Sequence, residues 1–235
     1  NNDSAYESAF CLHNKGINVE AIIDIRESSN SKIVKAVEEA GIKIHWSHTI
    51  VDTSGYKRLN GISAMKLSND GLSVTGNKIN ISCDCLGVAG GWTPAVHLFT
   101  QSGGKLKFDE NDKIFLPNKY PSEQLSVGSC NGDFKLKEII NNLSINLKQF
   151  LKVNETDFDN ILIEGEEENS KRNIWLLPSD KPIGKTKPFV DYQNDATAKD
   201  IKLALREGFR SIEHVKRYTT TGMGTDQGKL GNMHA

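Results

Sequence analysis

Glycines at two places in the chain could bring the backbone close to a phosphate group. One place is the run 83–92, predicted as a buried strand that ends in Gly90, Gly91 and Trp92, where a ligand is one candidate for a close approach. The other is a short predicted strand at 125–128 that leads into the start of a helix, an arrangement that suits a phosphate. The candidate residues there are Gly128, Ser129, Asn131 and Gly132.

Two cations near the end of the chain form another candidate anion site. Lys216 and Arg217 stand beside the hydroxyls of residues 219–221 at the end of a predicted helix, so the group could hold a phosphate. Cations at a helix C-terminus also complement the helix dipole while they face water, which is the more ordinary arrangement. The residues alone leave both interpretations open.

The chain offers no set of residues that predicts a metal centre or a hydrolytic site. Cys83 and Cys85 alternate along the predicted strand, but two thiolates are too few for zinc, and a pair of buried cysteines is favoured over a site shared with His45 and His48. The sequence also lacks a G-x-S-x-G motif. We therefore predict no metal ligand and no catalytic residue.

The elements that must position these groups alternate between helix and strand. The patterns predict a helix over 2–15, a strand over 19–25, a helix over 29–40 and a strand over 42–46. This order is typical of a parallel sheet covered by helices. Turn signals within 58–81 then indicate an antiparallel meander.

The opening residues argue against a dinucleotide at the first helix. Residues 1–5 contain no glycine, and the Asp3 carboxylate would repel a pyrophosphate. Asp24 ends a predicted strand where a dinucleotide fold places its ribose-binding acid, but without the glycines it is weak evidence. Near the other end, Thr197 and Asp200 predict the start of a helical hairpin that leads into the glycine-rich residues 221–228.

Composition excludes several classes of partner. The 235 residues carry 29 Lys and Arg against 30 Asp and Glu, so the chain has no basic field for nucleic acid or an anionic membrane. No apolar run approaches the roughly 18 residues of a spanning helix, and the first residues lack the features of a signal peptide. We expect a cytoplasmic location, reduced cysteines and, since the chain opens on a helix cap without Met, an internal fragment.

Two stretches of the sequence resemble a known family. They are residues 83–110, CDCLGVAGGWTPAVHLFTQSGGKLKFDE, and residues 189–234, FVDYQNDATAKDIKLALREGFRSIEHVKRYTTTGMGTDQGKLGNMH. Both are similar to the alpha subunit of heterotetrameric sarcosine oxidase, and the similarity extends over essentially the whole chain. Two-component amine and proline dehydrogenases are relatives of this family.

The resemblance implies an α/β fold with part of a two-dinucleotide-binding-domain core of the disulfide-reductase type. Residues 1–80 would form the inserted second Rossmann-like lobe, without its first strand and with the meander, and 81–151 the C-terminal part of the first lobe. Residues 152–188 would be a linker. Residues 189–235 would be a helical hairpin domain that resembles bacterioferritin-associated ferredoxin.

In the family, sarcosine is oxidatively demethylated to glycine, with hydrogen peroxide and 5,10-methylenetetrahydrofolate as further products. The resemblance implies NAD in this chain, FAD and FMN in the complex, tetrahydrofolate on a C-terminal domain, and beta, gamma and delta subunits as partners. Lys216 and Arg217 would face FMN at the alpha-beta interface. The residues nearest NAD would be Gly90, Gly91, Trp92, Gly128, Ser129, Asn131 and Gly132.

The hairpin departs from the ferredoxin pattern at the four positions that would ligate a two-iron cluster. Asp191, Gln193, Asp226 and Gly231 stand there, and an iron-sulfur cluster needs thiolates. We therefore expect the hairpin without its cluster, and the fragment alone to be inactive.

Two other functions remain open. One is a structural adaptor subunit of a related amine or proline dehydrogenase complex that binds no ligand of its own. The other, a free-standing NAD(P)H-linked flavin reductase, is disfavoured because the second lobe lacks a glycine loop and the chain has no C-x-x-C pair.

Overall fold

A computed structural model of the chain describes residues 1–121, 123–154, 158, 161, 172–229 and 231–235. The chain divides into two compact units, each built from three segments. The first unit comprises Asn1–Glu7, Ser29–Ala36 and Val88–Asn173. The second unit comprises Ser8–Ser28, Val37–Gly87 and Ile174–Ala235.

The first part of the chain has the predicted alternation of helix and strand. Helix α1 (Ser4–Asn14), strand β1 (Ile22–Asp24), helix α2 (Lys32–Glu39) and strand β2 (Ile44–Trp46) follow one another. The two strands pair in parallel, because the intervening helix returns the chain to the same end of the sheet. The predicted mixed α/β class is confirmed.

The predicted meander is also confirmed, in the second unit. Strands β3 (His48–Gly55), β4 (Leu59–Leu67) and β5 (Val74–Ile81) form an antiparallel sheet with β4 in the centre. The central strand supplies most of the buried apolar side chains of this sheet, since both of its edges are paired. They are Ile62, Ala64, Met65 and Leu67.

The structure departs from the sequence prediction around both glycine segments. Residues 82–92 form neither strand nor helix, and residues 124–127 form no strand. Glycines in the first of these runs leave no side chains to pack against a sheet, which disfavours the predicted strand. The residues between them form helix α3 (His97–Gln101) and the hairpin of β6 (Lys105–Asp109) and β7 (Ile114–Lys119).

A short 3-10 turn and a long helix follow in the first unit. The turn spans Gly128–Asn131, and helix α4 spans Leu136–Leu151. The helix therefore begins four residues after Gly132, whereas the sequence predicted a helix start within 129–132.

The C-terminal part of the second unit is the predicted helical hairpin. Strands β8 (Phe189–Asp191) and β9 (Ala196–Thr197) form a small antiparallel pair before helices α5 (Ala198–Arg206) and α6 (Ile212–Thr219). The Asp200 carboxylate accepts hydrogen bonds from the backbone N–H of Thr197 at 2.8 Å and its hydroxyl at 2.7 Å, which confirms the predicted cap.

Part of the predicted linker 152–188 lies outside the described residues, including the acidic run 164–168. The described residues 174–188 contain a short 3-10 turn at Ile183–Lys185. The four domain boundaries drawn from the sequence remain predictions. Within the described residues, no helix is both long enough and apolar enough to cross a membrane.

Candidate functional site

The Gly90 segment, residues 88–92, is approached by the side chain of Asn1. The Asn1 Nδ2 atom donates a hydrogen bond of 2.9 Å to the Gly90 carbonyl, and a Cβ placed on Gly91 would lie 3.1 Å from the same atom. In contrast, a Cβ placed on Gly90 would meet no atom within 4 Å, and Trp92 is 66% exposed. The group that closely approaches the backbone at Gly91 is therefore the Asn1 side chain, while the space beside Gly90 is open.

The second glycine segment is shaped by packing within the first unit. Gly132 ends the 3-10 turn in the left-handed conformation, with φ of +89°, and a Cβ there would lie 2.6 Å from Leu116 Cδ2. Gly128 is buried, and a Cβ on it would lie 3.7 Å from Ile139. The turn and the neighbouring side chains thus require glycine at 132 without a ligand.

The polar groups of this turn differ in their exposure. Ser129 is exposed and Asn131 is half-buried, while the Cys130 thiol donates a hydrogen bond of 3.1 Å to the Val127 carbonyl. A lone 3-10 turn of four residues lacks the aligned amides of a long helix, so it is a weaker phosphate site than the predicted helix start. Of this segment, the Ser129 hydroxyl is the side-chain group most open to a bound molecule.

The cations of α6 lie in different surroundings. Lys216 is half-buried and lines a cavity of about 130 Å³ together with Thr221 and Asn232, whereas Arg217 is exposed and does not line it. The hydroxyls expected beside them are largely used within the protein: the Thr219 and Thr221 oxygens lie 2.8 Å apart, and the Thr219 hydroxyl donates to the Val215 carbonyl at 2.8 Å. The structure therefore leaves Lys216 as the cation with a cavity beside it.

The hairpin loop, residues 221–229, is clamped by a buried carboxylate. Asp191 is 5% exposed, and its Oδ2 atom accepts the Gly222 N–H at 2.7 Å. The Oδ1 atom accepts the N–H groups of Gln193 at 2.8 Å and Asn194 at 3.2 Å. These bonds, the one from Gly222 first, lower the pKa of the Asp191 carboxyl despite its burial. The carboxylate thus ties the turn after β8 to the loop after α6.

The four positions that the resemblance assigned to cluster ligands come together in the structure. The Gln193 Oε1 atom accepts the Thr225 hydroxyl at 2.9 Å and the Asp226 N–H at 3.4 Å. A Cβ on Gly231 would lie 3.4 Å from the Cβ of Asp191. The site is filled by hydrogen-bonded carboxylate and amide groups.

Glycines of the hairpin loop are packed against side chains of the same unit. A Cβ on Gly222 would lie 2.9 Å from Asn232 Cγ, and one on Gly228 would lie 2.5 Å from the same atom. A Cβ on Gly224 would lie 2.9 Å from Gln193 Cβ. Sequence reasoning found this loop by its glycines but missed Asn232, and nothing in the local sequence marks that residue as the one that lies against them.

Asp24, the candidate ribose-binding acid, is committed to an ion pair. Its carboxylate and the guanidinium of Arg26 are each 2% exposed, with Nη2 and Oδ2 2.8 Å apart and Nε 3.0 Å from Oδ2. Arg26 also donates its backbone N–H to Oδ1 at 2.8 Å. This arrangement compensates the buried charge locally, so the structure gives no support to ribose binding here.

The predicted burial of the two neighbouring cysteines is wrong. Cys85 is exposed and Cys83 is half-buried, because the segment that carries them is not a strand of the sheet. His45 and His48 do lie together, with ring centroids 5.6 Å apart, and burial lowers the pKa of His45. Among the described residues, no group of three or more His, Cys, Asp or Glu side chains could hold a metal ion.

In fold, the chain resembles a dehydrogenase structure. The crystal structure of L-proline dehydrogenase from P. horikoshii matches 95% of this chain and 46% of that chain with a TM-score of 0.55, at 18% sequence identity. That identity establishes similarity of fold and not of activity.

In sequence, the chain resembles proteins named sarcosine oxidase subunit alpha. The protein from Rhizobium meliloti (strain 1021) is 32% identical over 100% of this chain, and the one from Corynebacterium sp. (strain P-1) is 31% identical over 100% of it. Residues 185–235 match the family described as Sarcosine oxidase A3 domain. The predicted resemblance is thereby confirmed. The chain spans 22% and 24% of the length of these two relatives.

Proposed function

We propose that this chain is part of the alpha subunit of a flavin-dependent oxidoreductase that acts on CH–NH donors. The proposed reaction is the oxidative demethylation of sarcosine to glycine, with hydrogen peroxide and 5,10-methylenetetrahydrofolate as further products. The observation that carries this proposal is the similarity to sarcosine oxidase alpha subunits over the whole chain. The chain also shares its fold with L-proline dehydrogenase.

In the proposed complex, this chain binds NAD and contributes no catalytic residue. The glycine segments fit NAD in part: the space beside Gly90, the exposed Trp92 and the Ser129 hydroxyl are open to a nucleotide. Gly91 and Gly132, in contrast, are already packed against Asn1 and Leu116. The open residues are therefore our candidates for NAD contact, and FAD and FMN supply the redox chemistry of the complex.

The second proposed role is docking of the flavin-carrying beta subunit. Lys216 lies beside a cavity and Arg217 is exposed on the same helix, and we assign to both the binding of an anionic group such as the FMN phosphate. The proposed assembly also contains gamma and delta subunits, and tetrahydrofolate binds to a C-terminal domain of the alpha subunit.

A structural adaptor without a ligand is the second candidate function. Two contacts favour it: Asn1 fills the space beside Gly91, and Leu116 fills the space beside Gly132. Glycines whose neighbouring space is filled by the chain itself need no cofactor to explain them. The two candidates differ in whether the alpha subunit retains bound NAD.

Mass spectrometry of the denatured complex separates the candidates. The complete subunit is produced with its neighbouring subunits, and the small molecules released on denaturation are identified, with iron assayed in parallel. NAD without iron supports the proposed function. A complex that releases flavins but no NAD supports the adaptor, and stoichiometric iron and sulfide contradict the predicted loss of the cluster.

A matched pair of variants locates the NAD. Gly90→Leu places a side chain in the proposed contact, whereas Gly87→Leu places the same side chain where a Cβ also meets no atom within 4 Å. We expect Gly90→Leu to lower the NAD content of the complex and Gly87→Leu to leave it unchanged. Equal NAD content in both variants would mean that Gly90 does not contact NAD.

A further inference from the structure

Cys83 and Cys85 are two accessible thiols with no role in the proposed function. Both are free, Cys85 is exposed and Cys83 is half-buried. They follow β5 in a segment without regular structure, just before the chain passes from Gly87 of the second unit to Val88 of the first. The pair is therefore open to chemistry that a buried strand would prevent.

The spacing of the pair allows a bond between the two sulfur atoms. Consecutive Cα atoms are about 3.8 Å apart, so residues separated by a single residue lie within roughly 7 Å of each other. A disulfide needs Cα atoms about 4.4–6.8 Å apart. The intervening Asp84 lies at a bend, and the segment is not held in a ladder, so it is able to adjust to this distance.

We propose that Cys83 and Cys85 form a reversible disulfide by exchange with a low-molecular-weight disulfide such as glutathione disulfide. The exposed Cys85 attacks first as the thiolate, and one glutathione leaves and takes up the proton that Cys85 has lost. Cys83 then loses its proton and attacks the Cys85 sulfur, which releases the second glutathione. The two thiols lose two electrons and two protons, and glutathione disulfide gains them.

The surroundings of the two thiols support this order of attack. Burial raises the pKa of the Cys83 thiol, and the neighbouring Asp84 and Cys85 raise it further. Cys83 is therefore poorly suited to be the first nucleophile, because the thiolate is the attacking form. Once Cys85 carries a glutathione, Cys83 is the adjacent thiol and reacts within the chain.

A competing role in metal binding has little support. A stable site for zinc needs about four ligands, and the described residues offer no group of three His, Cys, Asp or Glu side chains. A ring closed across one residue is also strained and readily reduced, which suits a reversible disulfide and not a structural one.

The test follows the peptide Ile79–Lys105, which trypsin releases between two lysine cleavage sites and which contains no other cysteine. The complete subunit in its complex is reduced, freed of reductant and incubated with glutathione disulfide. Remaining thiols are blocked with N-ethylmaleimide before digestion and mass spectrometry. We expect a peptide lighter by two hydrogens, which takes up two labels after treatment with dithiothreitol. A peptide with two labels or two glutathiones contradicts the proposal.

Variants and an internal control test the order of attack. In the Cys83→Ser variant, the reaction should stop with one glutathione on Cys85. In the Cys85→Ser variant, Cys83 should take up glutathione at least about tenfold more slowly than Cys85 does in Cys83→Ser. Cys11 is exposed and has no other cysteine near it in the sequence, so it should form only a mixed disulfide. Equal rates in the two variants, or a disulfide to Cys11, would overturn the assigned roles.

Discussion

The hairpin loop and the Gly90 segment are both rich in glycine, but the space beside their glycines is used differently. In the hairpin loop, Asn232 lies against Gly222 and Gly228, and the Asp191 carboxylate accepts a hydrogen bond from the Gly222 N–H. The space that a glycine leaves beside its backbone is thus occupied by another side chain of the protein.

In the Gly90 segment the space is only partly filled. Asn1 lies against Gly91, whereas a Cβ on Gly90 would meet no atom within 4 Å. A glycine-rich sequence is therefore weak evidence for a ligand site, since the atoms beside each glycine decide whether a ligand has room. By this criterion the hairpin loop is a structural element and the Gly90 segment is the better candidate for a bound molecule.

The largest expected effect comes from removing the clamp of the hairpin loop. Asp191→Ala leaves the N–H groups of Gly222, Gln193 and Asn194 without their buried acceptor, so we expect the free energy of unfolding of the second unit to fall by about 3 kcal/mol. Urea denaturation of the complete subunit, followed by hydrogen exchange of the peptides from this unit, measures the change.

Asp195→Asn is the matched control for this variant. Asp195 is exposed and adopts a positive φ of 52°, a conformation that Asn tolerates well. We expect no change in unfolding for this control. If the two variants behaved alike, the carboxylate would not be what holds the loop.

The second prediction compares the same substitution in the two glycine regions. Gly222→Ala forces a residue with φ of +71° against Asn232, so we expect a loss of about 1–3 kcal/mol in the stability of the second unit. Gly90→Ala meets open space at an ordinary φ, and we expect a change within about 0.5 kcal/mol. Thermal unfolding of the two variants measures the contrast. A larger loss of stability for Gly90→Ala would contradict the view that the space beside Gly90 is open and the space beside Gly222 is filled.

The third prediction concerns how the stability supplied by Asp191 changes at low pH. Since the folded pKa of Asp191 is lowered, its contribution is present above the unfolded pKa of about 3.9 and is lost as pH falls through the folded pKa. The stability advantage of the wild type over Asp191→Asn should therefore shrink as pH falls from 5 towards about 2. Urea midpoints of both proteins across this range measure it. A constant difference would mean that the charge of Asp191 does not stabilise the loop.

The sequence predicted elements more reliably than contacts. The alternation of α1 to β2, the meander and the capped helical hairpin follow from local periodicity, turn signals and the Thr197 and Asp200 pair, all of which act within a few residues. Predicted strands at 83–92 and 125–128 were wrong because an apolar run forms a strand only where a neighbour completes its hydrogen bonds.

The candidate sites depended on long-range contacts that no local pattern encodes. Asn1 lies 89 positions from Gly90, and Asp191 lies 31 positions from Gly222. The sequence could identify the glycines, and the resemblance could mark Asp191, but neither could show which side chain fills the space beside each glycine. The exposure of Cys83 and Cys85 was missed for the same reason, since burial was inferred from a strand that does not form.

The smallest expected effect separates buried from exposed polar contacts within the second unit. Lys181 pairs with Asp52, and the two side chains are 38% and 41% exposed, so water already solvates both charges. The Lys181 ammonium lowers the pKa of Asp52, and the contribution of this carboxylate is lost as pH falls through that lowered value. We expect Lys181→Met to shift the melting temperature by about 1 °C or less at moderate ionic strength, and the shift to vanish in high salt.

A double-mutant cycle with Asp52→Asn measures the coupling between these two side chains directly. If burial is what makes the Asp191 clamp effective, the coupling at this exposed pair should be several times smaller than the effect of Asp191→Ala, although Asp52 is paired with a charged ammonium and Asp191 only with neutral N–H groups. A coupling as large as the loss caused by Asp191→Ala would mean that exclusion from water is not what makes the Asp191 clamp effective. The contrast between the filled hairpin loop and the open Gly90 segment would then rest on shape alone.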